Sequence, residues 1–246
     1  MKFSVSSYSY SQLTASSEYT EKQELPIVAY CIGANLLKDT DAEIERLKGE
    51  VDIAAALGAP VMRHDATGGY DRETRGQRGF RNALTVIVRG YAEVTAYART
   101  KGVRTCIENH GFFCQDSERI EAIINGVADD NFGALVDIGN FMCADEDPAR
   151  AVGNVAPYAF HVHAKDFHFK KGTEFVPGEG FFMTRGGNFL RGAIIGHGVV
   201  PVQQCLKILK NAGYDGFVTV EFEGVENAKT GVSWGLNTLK RIEELI

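Results

Sequence analysis

The chain has 246 residues, 44% of them hydrophobic and 24% charged, as in an ordinary globular protein of one large domain or two small ones. Its formal net charge of -6 argues against nucleic acid as the main partner, because binding phosphates needs a basic surface. No apolar run is long enough to span a bilayer, and no signal peptide is expected at the first residues, so we expect no membrane partner. The five cysteines lack CxxC spacing, which favours reduced thiols. We therefore expect a cytoplasmic protein.

The first half of the chain predicts alternating strands and helices. Thr40 and Glu43 have the spacing of a capping box and predict a helix that ends at Gly58. Gly102 is in the position of a helix C-terminal cap, after a stretch whose apolar residues share one face. The predicted elements are a strand at 2–8, a short helix at 18–24, a strand at 25–32, a helix at 40–58, a strand at 60–64, a polar loop at 65–79 and a helix at 81–101.

The second half continues the alternation, with one exception. Asp147 followed by Pro148 predicts a helix start, because proline is favoured in the first helical turn. Residues 167–198 are rich in glycine and aromatic residues, and we expect them to form an irregular loop. The other predicted strands are at 103–108, 132–137, 160–166 and 217–222. Two further helices are predicted to begin at 117 and 201, and a last helix around Trp234 and Leu239 closes the chain.

Strands that alternate with helices predict parallel strands joined by helical crossovers. This pattern gives about seven strands, whereas a closed TIM barrel has eight. An open doubly wound sheet is the competing layout, but it places ligands at one switch point rather than at several successive strand ends. We therefore expect an α/β, TIM-barrel-like fold of about seven strands, in a single domain at residues 1–246.

Potential metal ligands follow four of the predicted strands. In the strand at 160–166, alternation places His161, His163 and Lys165 on one face, where polar groups are costly to bury unless they are used. Apolar strands also end in carboxylates, and in a barrel the carboxyl ends of strands meet at one mouth. The four candidate ligands are Glu108, Asp137, His163 and Glu221.

Three carboxylates in one cluster would repel each other unless a cation neutralised them. Carboxylates with one imidazole suit a single divalent metal, and we expect Mn²⁺, with Mg²⁺ or Co²⁺ as alternatives. Thiolate-rich tetrahedral zinc binding is not indicated.

The motifs Ile107-Glu108-Asn109-His110, Val136-Asp137-Ile138-Gly139-Asn140, His161-Val162-His163-Ala164-Lys165-Asp166 and Val220-Glu221-Phe222-Glu223-Gly224 resemble those of the sugar phosphate isomerase/epimerase superfamily. These xylose isomerase-like TIM barrels include ketose 3-epimerases and inosose dehydratases. The resemblance covers most of the chain from about Ile27 and implies a metal held by the four candidate ligands. It also implies a βα unit that is missing here, because residues 9–26 are too few for it.

The leading hypothesis is a metal-dependent sugar isomerase or epimerase that abstracts a proton next to a carbonyl through an enediolate. The resemblance implies that Glu108 and Glu221 remove and return the proton. The alternatives are a lyase, either inosose dehydratase-like or C-glycoside-cleaving, and a barrel whose catalysis is impaired by the missing unit. Metal-dependent DNA-repair nucleases share the fold, but the acidic charge argues against them.

Five further residues are candidates for contact with a sugar or polyol substrate. Only one residue of the Arg63-His64 pair can face inward, and the sequence does not say which. A seven-stranded barrel would also expose a strand edge, so we expect a homo-oligomer or a loop to cover it. The substrate candidates are His64, His110, Asn140, Lys165 and Arg185.

Overall fold

The structure is a computed structural model that describes residues 1–10, 26–71, 73, 74, 76 and 78–246. Its contacts group the chain into two compact units, Met1–Glu24 with Val136–Ile246, and Leu25–Leu135. The single domain expected from the sequence therefore stays a prediction. The helix predicted at 18–24 and the start of the strand predicted at 25–32 lie outside the described residues.

Ten strands occur in the described part of the chain. Seven of them match the predicted strands, although the first and the second are shorter than expected. The strands are β1 (Lys2–Val5), β2 (Tyr30–Ile32), β3 (Val61–His64), β4 (Arg104–Glu108), β5 (Phe132–Asp137), β6 (Ala159–Ala164), β7 (Asp166–Lys170), β8 (Phe182–Met183), β9 (Phe189–Ala193) and β10 (Phe217–Val220).

Helices follow most of these strands, as the sequence predicts. Three short 3-10 helices accompany them at Ser7–Tyr10, Asn140–Ala144 and Ala156–Tyr158. Among the described residues, no helix is both long and apolar enough to cross a bilayer. The α-helices are α1 (Thr40–Ala56), α2 (Phe80–Thr100), α3 (Ser117–Val127), α4 (Pro148–Val155), α5 (Val202–Asn211) and α6 (Ala228–Glu243).

The helix ends follow local chemistry, with one correction. Thr40 is the first helical residue of α1, and Asp39 caps it by accepting the N–H of Ala42 at 3.5 Å. The predicted capping box does not form, because the Glu43 carboxylate instead accepts the backbone N–H of Asn35 at 2.8 Å. Asp147 caps α4 as predicted, by accepting the N–H of Arg150 at 2.8 Å.

In the first unit, β10 lies between β1 and β6, and both pairs are parallel. The register places Thr219 opposite His163 and Ser4 opposite Thr219, so these residues share one face of the sheet. Strand β6 neighbours the end of β5, where the N–H of Ile138 donates to the carbonyl of His163 at 3.0 Å. The ends of β5, β6 and β10 are therefore adjacent.

In the second unit, β3 lies between β2 and β4, and β4 pairs in parallel with β5. Arg63 is opposite Cys106, and Glu108 is opposite Leu135. Because side chains alternate along a strand, Arg63 shares a face with Cys106 and Glu108.

Strand β5 begins in the second unit and ends in the first. Among the described residues, the main sheet has the strand order β1-β10-β6-β5-β4-β3-β2, and these are seven strands, as expected. The parallel pairs and helical crossovers confirm an α/β, TIM-barrel-like fold.

The irregular loop expected at residues 167–198 is wrong in part, because this segment contains a three-stranded antiparallel sheet of order β7-β9-β8. Asp166 pairs with Ala193, and Lys170 with Phe189. The sheet joins residues far apart in sequence and includes a strand of only two residues, so local patterns give little sign of it.

The buried carboxylate of Asp166 binds the end of this segment to its beginning. Oδ2 of Asp166 accepts the N–H groups of Gly196 and Gly198, both at 2.9 Å, and Oδ1 accepts that of Val200 at 3.0 Å. Burial raises the pKa of Asp166, although these backbone donors act in the opposite direction. The end of the segment is thus fixed beside the residue that follows Lys165.

Candidate metal centre

Asp137 ends β5 and is completely buried. Its Oδ1 atom accepts the N–H of Gly139 at 2.8 Å and that of Asn140 at 3.0 Å. These two bonds fix the carboxylate, and the other oxygen, Oδ2, lies 3.2 Å from Nζ of Lys165. The turn after β5 therefore orients Asp137 with one oxygen directed at the charged cluster of this unit.

His163 lies on β6, and its side chain is buried as well. Its Nδ1 atom is 3.3 Å from Oε2 of Glu221. His161, two residues earlier on the same face, has its Nε2 atom 2.7 Å from the hydroxyl of Thr219. The predicted alternation is thus present, and His161 packs beneath His163 with a hydroxyl partner.

Glu221 follows β10, and its N–H donates to the carbonyl of Ala164 at 3.0 Å. The side chain is buried, and Oε1 accepts the hydroxyl of Ser6 at 3.4 Å. Burial by itself would raise the pKa of Glu221, but Lys165 and His163 hold it well below its usual range. The carboxylate is therefore ionised at neutral pH.

Asp137, His163 and Glu221 each offer one ligand atom, and these atoms lie within 4.8 Å of one another. Carboxylate oxygens and an imidazole nitrogen suit a divalent ion such as Mg²⁺, Mn²⁺ or Zn²⁺. Burial adds to this fit, because clustered anions away from water need a compensating cation. The donor set of this unit therefore fits a divalent metal ion.

Lys165 supplies positive charge within the same cluster. Its ammonium lies 2.9 Å from Oε2 of Glu221 and 3.2 Å from Oε1 of Glu223. It also lies 3.2 Å from Oδ2 of Asp137. It also donates to Oδ1 of Asn140 at 3.1 Å. Both Lys165 and Asn140, predicted as substrate contacts, are buried and bound to each other beside the candidate ligands.

In the other unit, Glu108 ends β4 and is buried. The guanidinium of Arg63 forms an ion pair with its carboxylate and a second one with Oδ1 of Asp65 at 2.9 Å. Burial opposes the charge on Arg63, but the carboxylates of Glu108 and Asp65 raise its pKa. The sequence left Arg63 and His64 as alternatives, and Arg63 is the one on the face of Glu108.

His64 lies on the opposite face and is fully buried. Its ring stacks on Tyr91 of α2, with centroids 4.3 Å apart, and Nδ1 is 2.9 Å from the carbonyl of Asp65. Burial lowers its pKa to about 4, and Arg63 also acts in that direction. This packing favours a neutral core histidine over the substrate contact predicted for His64.

His110 and Arg185 occupy more exposed positions. Nδ1 of His110 is 3.0 Å from Oδ1 of Asp65, and this hydrogen bond raises its pKa. Arg185 lies on a turn held by Asp145, which accepts the hydroxyl of Thr184 at 2.7 Å. Their predicted role in substrate binding stays a prediction.

Two partners in these clusters were not predicted from the sequence. Glu223 contacts Lys165 and lies two residues after Glu221, so alternation could have placed it on the same side. Ser6, which directly follows the first strand, contacts Glu221, and no local pattern points to that contact.

Parallel strands joined by helices, with carboxylates and an imidazole at neighbouring strand ends, define an α/β barrel-type protein with a candidate metal centre. The family described as xylose isomerase-like TIM barrel matches residues 4–242. The chain belongs to this family.

Individual relatives agree with the family. Inosose dehydratase from Yersinia enterocolitica is 29% identical over 143 residues, which cover 56% of this chain and 47% of the relative. The match thus spans about half the length of that curated relative. A D-tagatose 3-epimerase-like protein superposes with a TM-score of 0.69 at 18% identity, over 100% of this chain and 98% of its own. A xylose isomerase-like protein from Mycobacterium smegmatis, in complex with magnesium, gives a TM-score of 0.67 at 17% identity, over 93% and 79% of the two chains.

Proposed function

We propose that Asp137, His163 and Glu221 bind one divalent metal ion and that Glu108 is its fourth ligand. The observation that carries the proposal is the buried group of three ligand atoms within 4.8 Å of one another. Glu108 is included because β4 pairs with β5, where Glu108 is opposite Leu135, two residues before Asp137 on the same strand. Mn²⁺ is our first choice of ion, and the magnesium complex of the Mycobacterium relative makes Mg²⁺ the first alternative.

We further propose that the protein acts on a sugar or polyol by removing a proton from the carbon next to a carbonyl. When bound, the ion would acidify that C–H group and stabilise the enediolate that forms. Glu221 is ionised through its contacts with Lys165 and His163 and serves as a proton acceptor. Glu108 takes part from the other side of the carbon in an isomerase or epimerase.

A lyase is the second candidate, and the position of Lys165 favours it. In a dehydration, a carboxylate takes the proton from carbon, the C–O bond to a neighbouring hydroxyl breaks, and an acid protonates the leaving oxygen to give water. The ammonium of Lys165, 2.9 Å from Glu221, is a proton donor in reach of the same substrate. The name of the Yersinia relative, inosose dehydratase, supports this candidate as well.

One experiment tests the common first step and separates the two candidates. The protein with Mn²⁺ or Mg²⁺ is incubated in D₂O with a panel of ketoses and keto-inositols, and NMR and mass spectrometry follow the products. Deuterium next to the carbonyl with conserved composition indicates an isomerase or epimerase, and loss of water indicates a lyase. A protein that binds the metal but exchanges no proton on any of these substrates would contradict the proposal.

Variants assign the reaction to the site. Glu221→Gln should lower turnover by about 10³-fold, because the amide cannot accept the proton. Glu45→Gln is the matched control, since Glu45 is largely exposed on α1 and pairs with Lys48 at the surface. Equal activity of Glu221→Gln and the control would remove Glu221 from the mechanism.

The assembly and location of the protein also stay proposals. Exposed apolar side chains, such as Phe175 and Met183, are compatible with the expected homo-oligomer. Light scattering of the purified chain would determine the oligomer number. A cytoplasmic location is proposed because the five cysteines are odd in number and lack CxxC spacing, which suits reduced thiols.

A further inference from the structure

We propose that Lys165 is a tethered cation that competes with the metal ion for the same carboxylate oxygens and thereby sets the affinity of the site for metal. This inference rests on the proposed metal site and concerns how tightly that site binds. It assigns to Lys165 a role that can be measured by binding alone, without a substrate.

The two carboxylate oxygens of Asp137 have different partners. Oδ1 already accepts two backbone N–H groups, from Gly139 and Asn140. The oxygen left for a metal ion is Oδ2, and this is the atom that contacts the Lys165 ammonium at 3.2 Å. Ion and ammonium therefore use the same oxygen of Asp137.

Glu221 repeats this arrangement. Oε1 is directed at the hydroxyl of Ser6, whereas Oε2 lies near both Nδ1 of His163 and Nζ of Lys165. An ion bound between His163 and Glu221 would share Oε2 with the ammonium. Two cations on one carboxylate oxygen repel each other strongly in a buried site, because the low local dielectric does not screen them.

The surroundings give Lys165 a second set of acceptors. Oε1 of Glu223 and Oδ1 of Asn140 lie 3.2 Å and 3.1 Å from Nζ, and neither residue belongs to the proposed ligand set. Glu223 is partly exposed, so its carboxylate is accessible to water. The ammonium can thus stay bound to Glu223 and Asn140 while the ligand oxygens serve the ion.

The main test is the affinity for Mn²⁺, measured by titration calorimetry on the full chain. Lys165→Met should bind Mn²⁺ at least about tenfold more tightly than the original protein, because the competing charge is gone. Lys165→Arg keeps the charge and should stay close to the original affinity. Lys170→Met is the matched control, since it removes an exposed lysine at the end of β7.

Thermal unfolding provides a second readout. Without added metal, Lys165→Met should unfold at a lower temperature, because the carboxylates then repel each other. Saturating Mn²⁺ should restore most of the loss, so that the metal-induced shift is larger than in the original protein. An unchanged or weaker Mn²⁺ affinity in Lys165→Met would overturn the inference.

A double-mutant cycle tests whether Glu223 acts through Lys165. Glu223→Gln should weaken Mn²⁺ binding in the original protein, because the ammonium then rests more on the ligand oxygens. The same change should have little effect in the Lys165→Met background. Equal effects of Glu223→Gln in the two backgrounds would contradict this role. If Lys165→Met does not fold, Glu223→Gln alone decides, and unchanged affinity counts against the inference.

The result also distinguishes this inference from the proposed function. If the original protein and Lys165→Met both fail to bind Mn²⁺, Mg²⁺ or Zn²⁺, the proposed metal site is wrong. If the original protein binds Mn²⁺ and Lys165→Met binds it equally well, the metal site stands and the competing role of Lys165 is wrong.

Discussion

A side chain on Gly139 would collide with the backbone of Lys165, because a Cβ built there lies 2.8 Å from the Lys165 carbonyl oxygen. The turn after β5 is thus packed directly against the end of β6. This close approach holds the carboxylate of Asp137 beside the ammonium of Lys165. The residue type at 139 therefore matters for the geometry of the candidate metal centre.

We expect Gly139→Ala to lower the free energy of unfolding by about 1–3 kcal/mol, since neither backbone can move away without cost. Gly153→Ala is the matched control, because Gly153 is exposed in α4 and nothing lies within 4 Å of an added Cβ. That control should stabilise the protein by up to about 1 kcal/mol. Urea unfolding measures both, and similar values for the two variants would contradict the packing argument.

Asp137→Asn should separate the structural and metal-binding roles of this side chain. Its amide oxygen can still accept the N–H groups of Gly139 and Asn140, so circular dichroism should show a normal fold. The lost charge should weaken Mn²⁺ binding by about 100-fold or more. Asp41→Asn, at an exposed position of α1, is the control, and an unchanged affinity in Asp137→Asn would exclude Asp137 as a ligand.

Arg63→Met should destabilise the protein by about 3 kcal/mol, because it removes a buried positive charge beside Glu108 and Asp65. Arg89→Met serves as the control, since Arg89 is half exposed and pairs with the exposed Asp41. Its effect should be below about 0.5 kcal/mol. Chemical denaturation compares the two, and a small effect at residue 63 would show that its ion pairs add little stability.

The lowered pKa of His64 predicts that the free energy of unfolding depends on pH. Its pKa is lowered from 6.5 to about 4, mainly by burial, while Glu43 and Asp65 oppose this shift and Arg63 adds to it. The folded state favours the neutral form of His64. The contribution of this residue to the free energy of unfolding is therefore complete above pH 6.5 and is lost as the pH falls towards 4. At roughly 1.4 kcal/mol per pH unit, the loss is about 3 kcal/mol.

The comparison of wild type with His64→Phe isolates this contribution. Phenylalanine can stack on Tyr91 but has no proton to bind, so the variant should lose less stability between pH 6.5 and 4. Unfolding free energies at several pH values provide the measurement. Parallel curves for the two proteins would show that His64 does not cause the dependence.

The sequence predicted those parts of the fold that depend on local patterns. Apolar runs that end in a carboxylate correctly located the ends of β4 and β5, because a buried strand is seen in the sequence as a short run of apolar residues. Alternation placed His163 and Lys165 on one face. It did not tell Arg63 from His64, because a period of two gives opposite faces without saying which one is inside.

Features that depend on distant partners were not predictable in the same way. In the antiparallel sheet, β7 pairs with β9 across a long stretch of sequence, and the two-residue strand β8 has no pattern of its own. The contact of Lys165 with Glu223 likewise needs the ends of β6 and β10 to be adjacent. Only the assembled sheet brings these side chains together.

The carboxylate of Asp166 holds the beginning and the end of the segment between β6 and α5 together through hydrogen bonds to the backbone. Insertions or deletions at the tip of this segment, around β8, need not displace Lys165, because the strain they create is absorbed beyond these hydrogen bonds. We therefore expect this segment to tolerate changes in length and sequence. We expect a peptide tag or a fluorescent reporter introduced around β8 to leave the contacts of Lys165 intact.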